Sequence, residues 1–209
     1  TGVQTYALPI WRAEAIAGTL LDGPSSQGDR VAQYLRNCPE YLEVSHAALK
    51  IGIPAVNTNY RYGGEELRYL WEDADVTAVV FHGTFTDQVR ALRGTVRRVR
   101  QWIHVDDGTE SCPEWAIPYE EAAASFPEGR IRAPWGRSGE DLFLLYTGGT
   151  TGMPKGVMWR TTDFLEQTND VARISHPLSE GVDGIRRQLT ARGCVHVSAS
   201  PLMHGTGLF

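Results

Sequence analysis

The feature that most constrains the fold is a regular alternation of short apolar runs with amphipathic helical patterns. Residues 76–81, VTAVVF, form a run of strand length that is apolar except at Thr77. Further strand-sized runs lie at residues 31–35, 53–56 and 102–105. Helical patterns separate these runs at residues 39–51, 65–74 and 86–92. Strands that alternate with helices form a parallel sheet covered on both faces, so we predict a layered α/β/α fold with a mostly parallel sheet.

Local signals place the ends of one of these helices. Asn37 and Glu40 have the spacing of a capping box, and Pro39 lies in the first turn of the predicted helix 39–51. Gly52 follows as a stop signal. Further helices are predicted at residues 11–21 and 119–125, and further strands at residues 142–146 and 194–199.

The two ends of the chain differ from the rest. Residues 1–10 show neither helical nor strand periodicity and resemble the translation of a sequencing adapter except at Tyr6, so we expect them to be non-native. The alternative is a natural, irregular N-terminus. The chain stops at Phe209 without a terminating signal, which suggests a fragment. Between the ends we predict one α/β portion at 11–126, a Pro- and Gly-rich linker at 127–141, and a second α/β portion at 142–209.

The overall composition excludes several classes of protein. A formal net charge of -5 argues against a dedicated nucleic-acid binder. The widely separated Cys38, Cys112 and Cys194 do not have the spacing of a zinc site or a redox motif, which favours a cytoplasmic location. The apolar runs are too short to cross a bilayer, so we expect no membrane segment and leave the oligomeric state open.

Residues 147–156, here called the phosphate loop, have the composition of a polyphosphate-binding loop. They follow the apolar run 142–146 and combine glycines, hydroxyls and one cation, namely Thr147, Gly148, Gly149, Thr150, Thr151, Gly152, Lys155 and Gly156. Glycines let backbone amides approach phosphate oxygens, and threonine hydroxyls add neutral donors. Lys155 supplies a flexible point charge for terminal phosphates. A Gly-rich surface turn is the structural alternative, but it explains the glycines without the threonines and the lysine.

Two common phosphate-binding motifs do not match this loop. The Walker loop requires Gly before Lys and Ser or Thr after it, whereas Lys155 lies between Pro154 and Gly156. No Gly-x-Gly-x-x-Gly sequence opens a helix here, which excludes a dinucleotide fingerprint.

The run YTGGTTGMPKGV resembles the signature of the adenylate-forming superfamily, which includes acyl-CoA synthetases, peptide-synthetase adenylation domains and luciferases. The resemblance extends from about residue 28 to residue 209 and includes SPLMHGTG at residues 200–207. Residues 200–208 are here called the His204 segment. It implies the partial N-terminal domain of an adenylate-forming enzyme. Within the family, MPKGVMWR and PLMHGTG look most like synthetases for fatty acids or sterol side chains.

The resemblance also implies roles for individual residues. The phosphate loop would hold the β- and γ-phosphates of ATP, and Thr147 would lie at or near Mg²⁺. A Ser or Thr often occupies the position of Gly148 in the family, so one hydroxyl donor is missing here. His204 and Gly205 would lie beside the acyl group and the forming adenylate; Gly205 and Gly207 could equally form a helix-entry turn.

The implied activity is AMP-forming acyl-CoA synthesis from ATP, a hydrophobic carboxylic acid and coenzyme A. The catalytic Lys and the metal-binding Glu of the family are expected beyond Phe209, so we expect the chain alone to be inactive. The alternatives are an adenylation domain with another acceptor, a non-catalytic nucleotide- or phosphate-binding module, and a regulatory or structural fragment with an unused loop.

Overall fold

A computed structural model describes residues 2–23, 25–125, 129–148, 152–171, 183 and 198–208. The first half contains α1 (Gly2–Asp22), β1 (Val31–Tyr34), α2 (Pro39–Ile51), β2 (Ala55–Asn57), α3 (Gly64–Asp73), β3 (Ala78–His82) and α4 (Thr86–Leu92). A single 3₁₀ turn, Gly83–Phe85, joins β3 to α4. The second half contains β4 (Gln101–Val105), β5 (Ile117–Pro118), α5 (Tyr119–Ala124), β6 (Leu142–Thr147), β7 (Lys155–Arg160), α6 (Thr161–Val171) and α7 (Gly205–Leu208).

Five of the described strands form a parallel sheet in the order β2-β1-β3-β4-β5. Every residue of β1 and β3 is buried, as expected for strands with helices on both faces. Successive side chains point to opposite faces, so Val80 packs with α1, α2 and α5 while Val79 packs with α3 and α4. The predicted α/β/α arrangement and mostly parallel sheet are therefore confirmed.

Strands β6 and β7 form a separate antiparallel pair. Leu144 and Tyr146 of β6 are buried and join the core of α3 and α4, which attaches the pair to the parallel sheet. The other face packs on α6, where the rings of Phe143 and Phe164 stack with centroids 4.4 Å apart. Strand β7 and helix α6 were not predicted from the sequence, because the run KGVMWR has no clear alternation of apolar and polar residues.

Several predicted boundaries change. Helix α1 begins at Gly2 rather than at residue 11, and Leu8 and Ile10 are exposed on it, which explains why no apolar periodicity marked this part of the helix. Strand β5 was not among the strands predicted from the sequence. Of the strand predicted at 194–199, residues 194–197 lie outside the described part of the chain and residues 198–199 are not in a strand.

The two end signals of α2 have different outcomes. Gly52 ends the helix with φ at 69°, as predicted. The prediction of a capping box is wrong, because the N-cap residue is Cys38 and no side chain caps the helix. The side chain of Asn37 forms hydrogen bonds with the backbone of Ser200 and Leu202 instead. Residues 129–140 contain no helix or strand, yet Trp135 donates to the Ile51 carbonyl at 2.8 Å. This stretch packs on the core between the sheet and helices α1, α2 and α5, here called the first core. The domain division at 127–141 stays a prediction.

Candidate functional site

The side chain of Asn57 joins the carboxyl end of β2 to the residue before the phosphate loop. Asn57 is buried, and its Nδ2 donates to the Tyr146 carbonyl at 2.8 Å. The Tyr146 amide donates in return to Asn57 Oδ1 at 2.6 Å. The same Nδ2 donates to the Met203 carbonyl at 2.7 Å. One amide group therefore contacts two chain segments that are far apart in sequence.

Tyr146 fixes the start of the phosphate loop from its side chain as well. Its hydroxyl donates to Asp73 Oδ2 at the end of α3, at 2.6 Å. Burial, with the hydrogen bond to Asp73, raises the pKa of this tyrosine, so the hydroxyl stays protonated. Gly156 on β7 lies against the Tyr146 ring, where an added Cβ would be 2.9 Å from a ring carbon. A glycine is thus required opposite Tyr146 for the ring to occupy this position.

The described part of the phosphate loop lies at one end of the β6–β7 pair. Thr147 ends β6 and Lys155 begins β7, and the two are paired across the strands. Thr147 Oγ1 makes only a long contact of 3.5 Å to the Lys155 carbonyl, and both side chains are exposed. Gly152 is exposed with open space around its Cα. Gly149, Thr150 and Thr151 lie outside the described residues, so their predicted contacts stay predictions.

The His204 segment is held by a second asparagine. Asn37 Nδ2 donates to the Ser200 carbonyl at 3.1 Å, and the Leu202 amide donates to Asn37 Oδ1 at 2.8 Å. Leu202 and Met203 are buried in the first core, whereas His204 is exposed. The backbone of the segment is therefore anchored while the imidazole stays accessible.

The two glycines after His204 lie at a helix start and at a close backbone contact, and an approach of substrate to them stays a prediction. Gly205 begins helix α7, and it also lines a cleft. Gly207 lies against the turn that precedes the helix, where an added Cβ would be 2.8 Å from the Ser200 carbonyl oxygen. Gly207 thus allows a close approach of two backbone segments.

Two of the predicted phosphate-binding residues, Thr147 and Gly148, meet the predicted acid-binding residues in this cleft, here called the loop cleft, whereas Gly152 and Lys155 are not among its lining residues. Its volume is about 320 Å³. One wall contains Thr147 and Gly148, and the other contains Met203, His204 and Gly205. Asn57, Asn59 and Tyr62 from the β2–α3 connection line it too. Tertiary structure thus brings together residues that are more than fifty positions apart in sequence.

A larger cavity of about 1200 Å³ lies elsewhere, between α1 and residues 129–137. It shares no lining residue with the loop cleft. Trp11, Lys50 and Arg132 are among its lining residues, and none of them belongs to a predicted site. Size alone therefore does not identify the functional site of this chain.

The metal prediction can be tested against the donor groups present. Among the described residues, no group of three His, Cys, Asp or Glu side chains is placed to hold a metal ion. Mg²⁺ commonly takes one or two protein ligands and binds mainly to substrate phosphates. The exposed Thr147 hydroxyl fits such a site as a single protein ligand beside a triphosphate.

Sequence reasoning missed the residues that organise the cleft. Asn57 was not singled out, and Asn37 was interpreted as a helix cap. Asp73 was not considered. A usable signal was present, because Asn57 is a polar side chain at the carboxyl end of a parallel strand, where ligands of open α/β sheets bind.

The family model described as AMP-binding enzyme matches residues 4–209. This chain belongs to the AMP-binding enzyme family. The match begins inside residues 1–10, whose non-native origin stays a prediction. No described helix of this AMP-binding chain has the length and apolar character needed to cross a membrane.

Curated relatives of this AMP-binding chain are acyl-CoA ligases. It is 38% identical over 162 residues to "3-oxocholest-4-en-26-oate--CoA ligase" of Rhodococcus rhodochrous, a match that covers 76% of this chain and 29% of the relative. It is 32% identical over 207 residues to "Medium/long-chain-fatty-acid--CoA/3-oxocholest-4-en-26-oate--CoA ligase" of Mycolicibacterium smegmatis, covering 96% of this chain and 37% of the relative. The chain thus spans about a third of the length of these relatives.

Solved structures also match this chain over about a third of their own length. The crystal structure of ATP-bound MatB from Rhodopseudomonas palustris matches with a TM-score of 0.71 and 26% identity, over 98% of this chain and 36% of that one. The inhibitor-bound N-terminal domain of FACL13 from Mycobacterium tuberculosis matches with a TM-score of 0.62 and 26% identity, over 75% and 37%. These matches confirm the prediction of an N-terminal portion of an adenylate-forming fold.

Proposed function

We propose that this chain is the ATP-binding portion of an AMP-forming acyl-CoA synthetase that acts on a hydrophobic carboxylic acid. The observation that supports this best is the loop cleft, in which Thr147 and Gly148 face His204 and Gly205. A phosphate-binding wall and an acid-binding wall around one space are what adenylation requires. The names of the curated relatives, which include fatty-acid and sterol-acid CoA ligases, favour a hydrophobic acid.

The reaction has two displacement steps. A carboxylate oxygen of the acid attacks the α-phosphorus of ATP, the bond to the bridging oxygen breaks, and pyrophosphate leaves with the electron pair. The thiolate of coenzyme A then attacks the acyl carbon, and AMP leaves as the second product. Charge neutralisation and alignment provide most of the rate acceleration in phosphoryl-type displacements.

In this scheme Lys155 and the loop amides bind the β- and γ-phosphates. Lys155 is exposed at the start of β7 and makes no ion pair with a described residue, so its ammonium is available for a phosphate. Its neighbour across the strands, Thr147, offers a hydroxyl to the phosphates or to Mg²⁺. Mg²⁺, when bound, neutralises the charge that develops on the departing pyrophosphate.

His204 and Gly205 complete the proposal on the other wall. His204 would lie against the acid and the acyl-adenylate, and Gly205 would leave room for them. We expect the catalytic Lys and the metal-binding Glu of the family to lie outside this chain, so that the 209-residue chain binds MgATP without appreciable turnover. A cytoplasmic location also stays a prediction.

Calorimetric titration of the purified chain with MgATP tests this function. We expect binding, competition by pyrophosphate and weak competition by AMP, because the loop holds the terminal phosphates. Lys155→Ala should weaken MgATP binding at least about tenfold, since it removes a charged hydrogen-bond donor.

The matched control is Arg97→Ala, which removes an exposed cation outside the loop cleft and should leave the affinity within about twofold. Absence of MgATP binding by the wild-type chain would contradict the proposal. Equal affinity of the wild-type and Lys155→Ala chains would contradict the assignment of the phosphate loop.

A further inference from the structure

We propose that Asn57 is a positioning residue that sets the spacing between the two walls of the loop cleft. Its side chain is the described group that bonds both to β6, before the phosphate loop, and to the His204 segment. This inference rests on the proposed function insofar as the cleft binds ATP and an acid.

The hydrogen bonds use almost the whole capacity of the amide. Both Nδ2 protons have carbonyl acceptors, at Tyr146 and Met203, and Oδ1 accepts from the Tyr146 amide. An asparagine offers two donors and one carbonyl acceptor in a rigid plane, so this pattern fixes its orientation. Asn57 is only 7% exposed, and water therefore cannot readily replace a lost partner.

The two carbonyls that Asn57 binds precede the proposed ligand-binding residues directly. Tyr146 is followed by Thr147, and Met203 is followed by His204. Tyr146 and Met203 are buried, whereas Thr147 and His204 are exposed at the cleft. Consecutive Cα atoms are about 3.8 Å apart, so restraining the buried residue also restrains the exposed one. Asn57 thereby holds the proposed phosphate-binding residues at a fixed distance from the proposed acid-binding residues.

Asn37 provides the matched comparison within the same chain. It also forms a two-way amide contact with the His204 segment, through Ser200 and Leu202. Among the described residues, its side chain makes no hydrogen bond to β6 or to Tyr146. Loss of Asn37 should therefore loosen one wall of the cleft, whereas loss of Asn57 should loosen both.

Hydrogen exchange of the ligand-free chain measures this difference directly. In Asn57→Ala we expect exchange to rise about fivefold or more both at residues 144–148 and at residues 200–208. In Asn37→Ala only residues 200–208 should change, and β3 should stay protected in both variants. The inference is wrong if residues 144–148 exchange at the wild-type rate in Asn57→Ala. It is also wrong if Asn37→Ala raises the exchange of residues 144–148 as much as Asn57→Ala does.

A charge substitution adds a readout that a purely structural role would not move. Asn57→Asp keeps an acceptor for the Tyr146 amide but, when ionised, loses both donors and faces two carbonyl oxygens. Protonation gives the carboxyl one O–H donor and restores one of the lost bonds. We expect MgATP affinity relative to wild type to be about tenfold lower near pH 8 and to recover partly near pH 5.

The outcomes separate this inference from the proposed function. Suppose that the wild-type chain binds MgATP and that Asn57→Asp has the same Kd as the wild type at every pH. This result would overturn the positioning role and leave the proposed function standing. If the wild-type chain does not bind MgATP, the function fails, and the exchange experiment alone decides whether Asn57 relates the two walls. Should Asn57→Asp fail to fold, Asn57→Ala supplies the same affinity comparison without an added charge, and unchanged affinity there also overturns the role.

Discussion

Glu43 on α2 is the centre of a buried network that joins three helices, and its replacement by glutamine should destabilise the chain. Glu43 is 5% exposed and accepts from Arg12 Nε of α1 at 2.9 and 3.0 Å. It also accepts from the Tyr119 hydroxyl of α5 at 2.8 Å. The other guanidinium nitrogens of Arg12 donate to Glu120, which is 69% exposed.

The expected magnitude follows from these contacts. Glu43→Gln removes a charge-assisted hydrogen bond, which contributes about 1.5–3 kcal/mol. One of the two glutamine side-chain atoms is a donor. It either faces the Arg12 Nε–H donor at the Oε1 position or removes the acceptor that Arg12 Nε and the Tyr119 hydroxyl share at the Oε2 position, at about 1–3 kcal/mol. The remaining pair of Arg12 with Glu120 offsets part of this loss. We expect the free energy of unfolding to fall by about 3 kcal/mol, within the range for breaking a buried ion pair.

Urea and thermal unfolding followed by circular dichroism measure this change. For a chain of this size, 3 kcal/mol corresponds to a fall in Tm of about 6–12 °C. Glu120→Gln is the control, because its exposed carboxylate should contribute less than about 1 kcal/mol. Tyr119→Phe should cost about 1.5–3 kcal/mol, because it also removes a hydrogen bond to the carboxylate, and it should couple to Glu43→Gln in a double-mutant cycle. A Glu43→Gln chain as stable as the Glu120→Gln chain would refute this account of the network.

Three further predictions concern other positions. Burial lowers the pKa of His82, and its Nδ1 accepts from the Arg36 amide at 3.1 Å, so the native imidazole is neutral. His82 of the unfolded chain binds a proton below about pH 6.5, whereas the native imidazole does not, so the free energy of unfolding should fall as the pH drops through that value. In urea titrations between about pH 5 and 7, His82→Asn should reduce the dependence of the unfolding free energy on pH, and an unchanged dependence would contradict the assignment. Gly52→Ala should cost about 1–2 kcal/mol in the same assay, because φ is 69° and the new Cβ would lie 2.8 Å from Asp141 Oδ2; a neutral effect would mean that the left-handed cap is not needed. Gly207→Ala should raise hydrogen exchange across residues 200–208 and weaken MgATP binding, whereas wild-type exchange would show that the close backbone approach is dispensable.

The sequence was sufficient for the features that depend on local periodicity and local backbone geometry. The apolar run at 76–81 indicated a strand buried on both faces, and β3 is buried throughout. Gly52 indicated a left-handed helix end, which the φ of 69° confirms. Such features are predictable because each depends on residues within one or two turns of a helix or along one strand. The residue types and their order at 147–156 likewise predicted a phosphate-binding loop, and this role stays a prediction.

Tertiary structure alone decided which residues assemble the site. Asn57 bonds to residues 89 and 146 positions away along the chain, and Asn37 bonds to residues 163 and 165 positions away. A short polar side chain can satisfy its hydrogen bonds locally or at long range, and the sequence next to it does not distinguish the two. For Asn37 the local pattern favoured a helix cap, but the Ser200 and Leu202 backbone groups are its partners. The sequence thus determined the buried parallel strands and the residue types of the phosphate loop. Packing of the strand ends determined the loop cleft, because its walls meet only when the chain has folded.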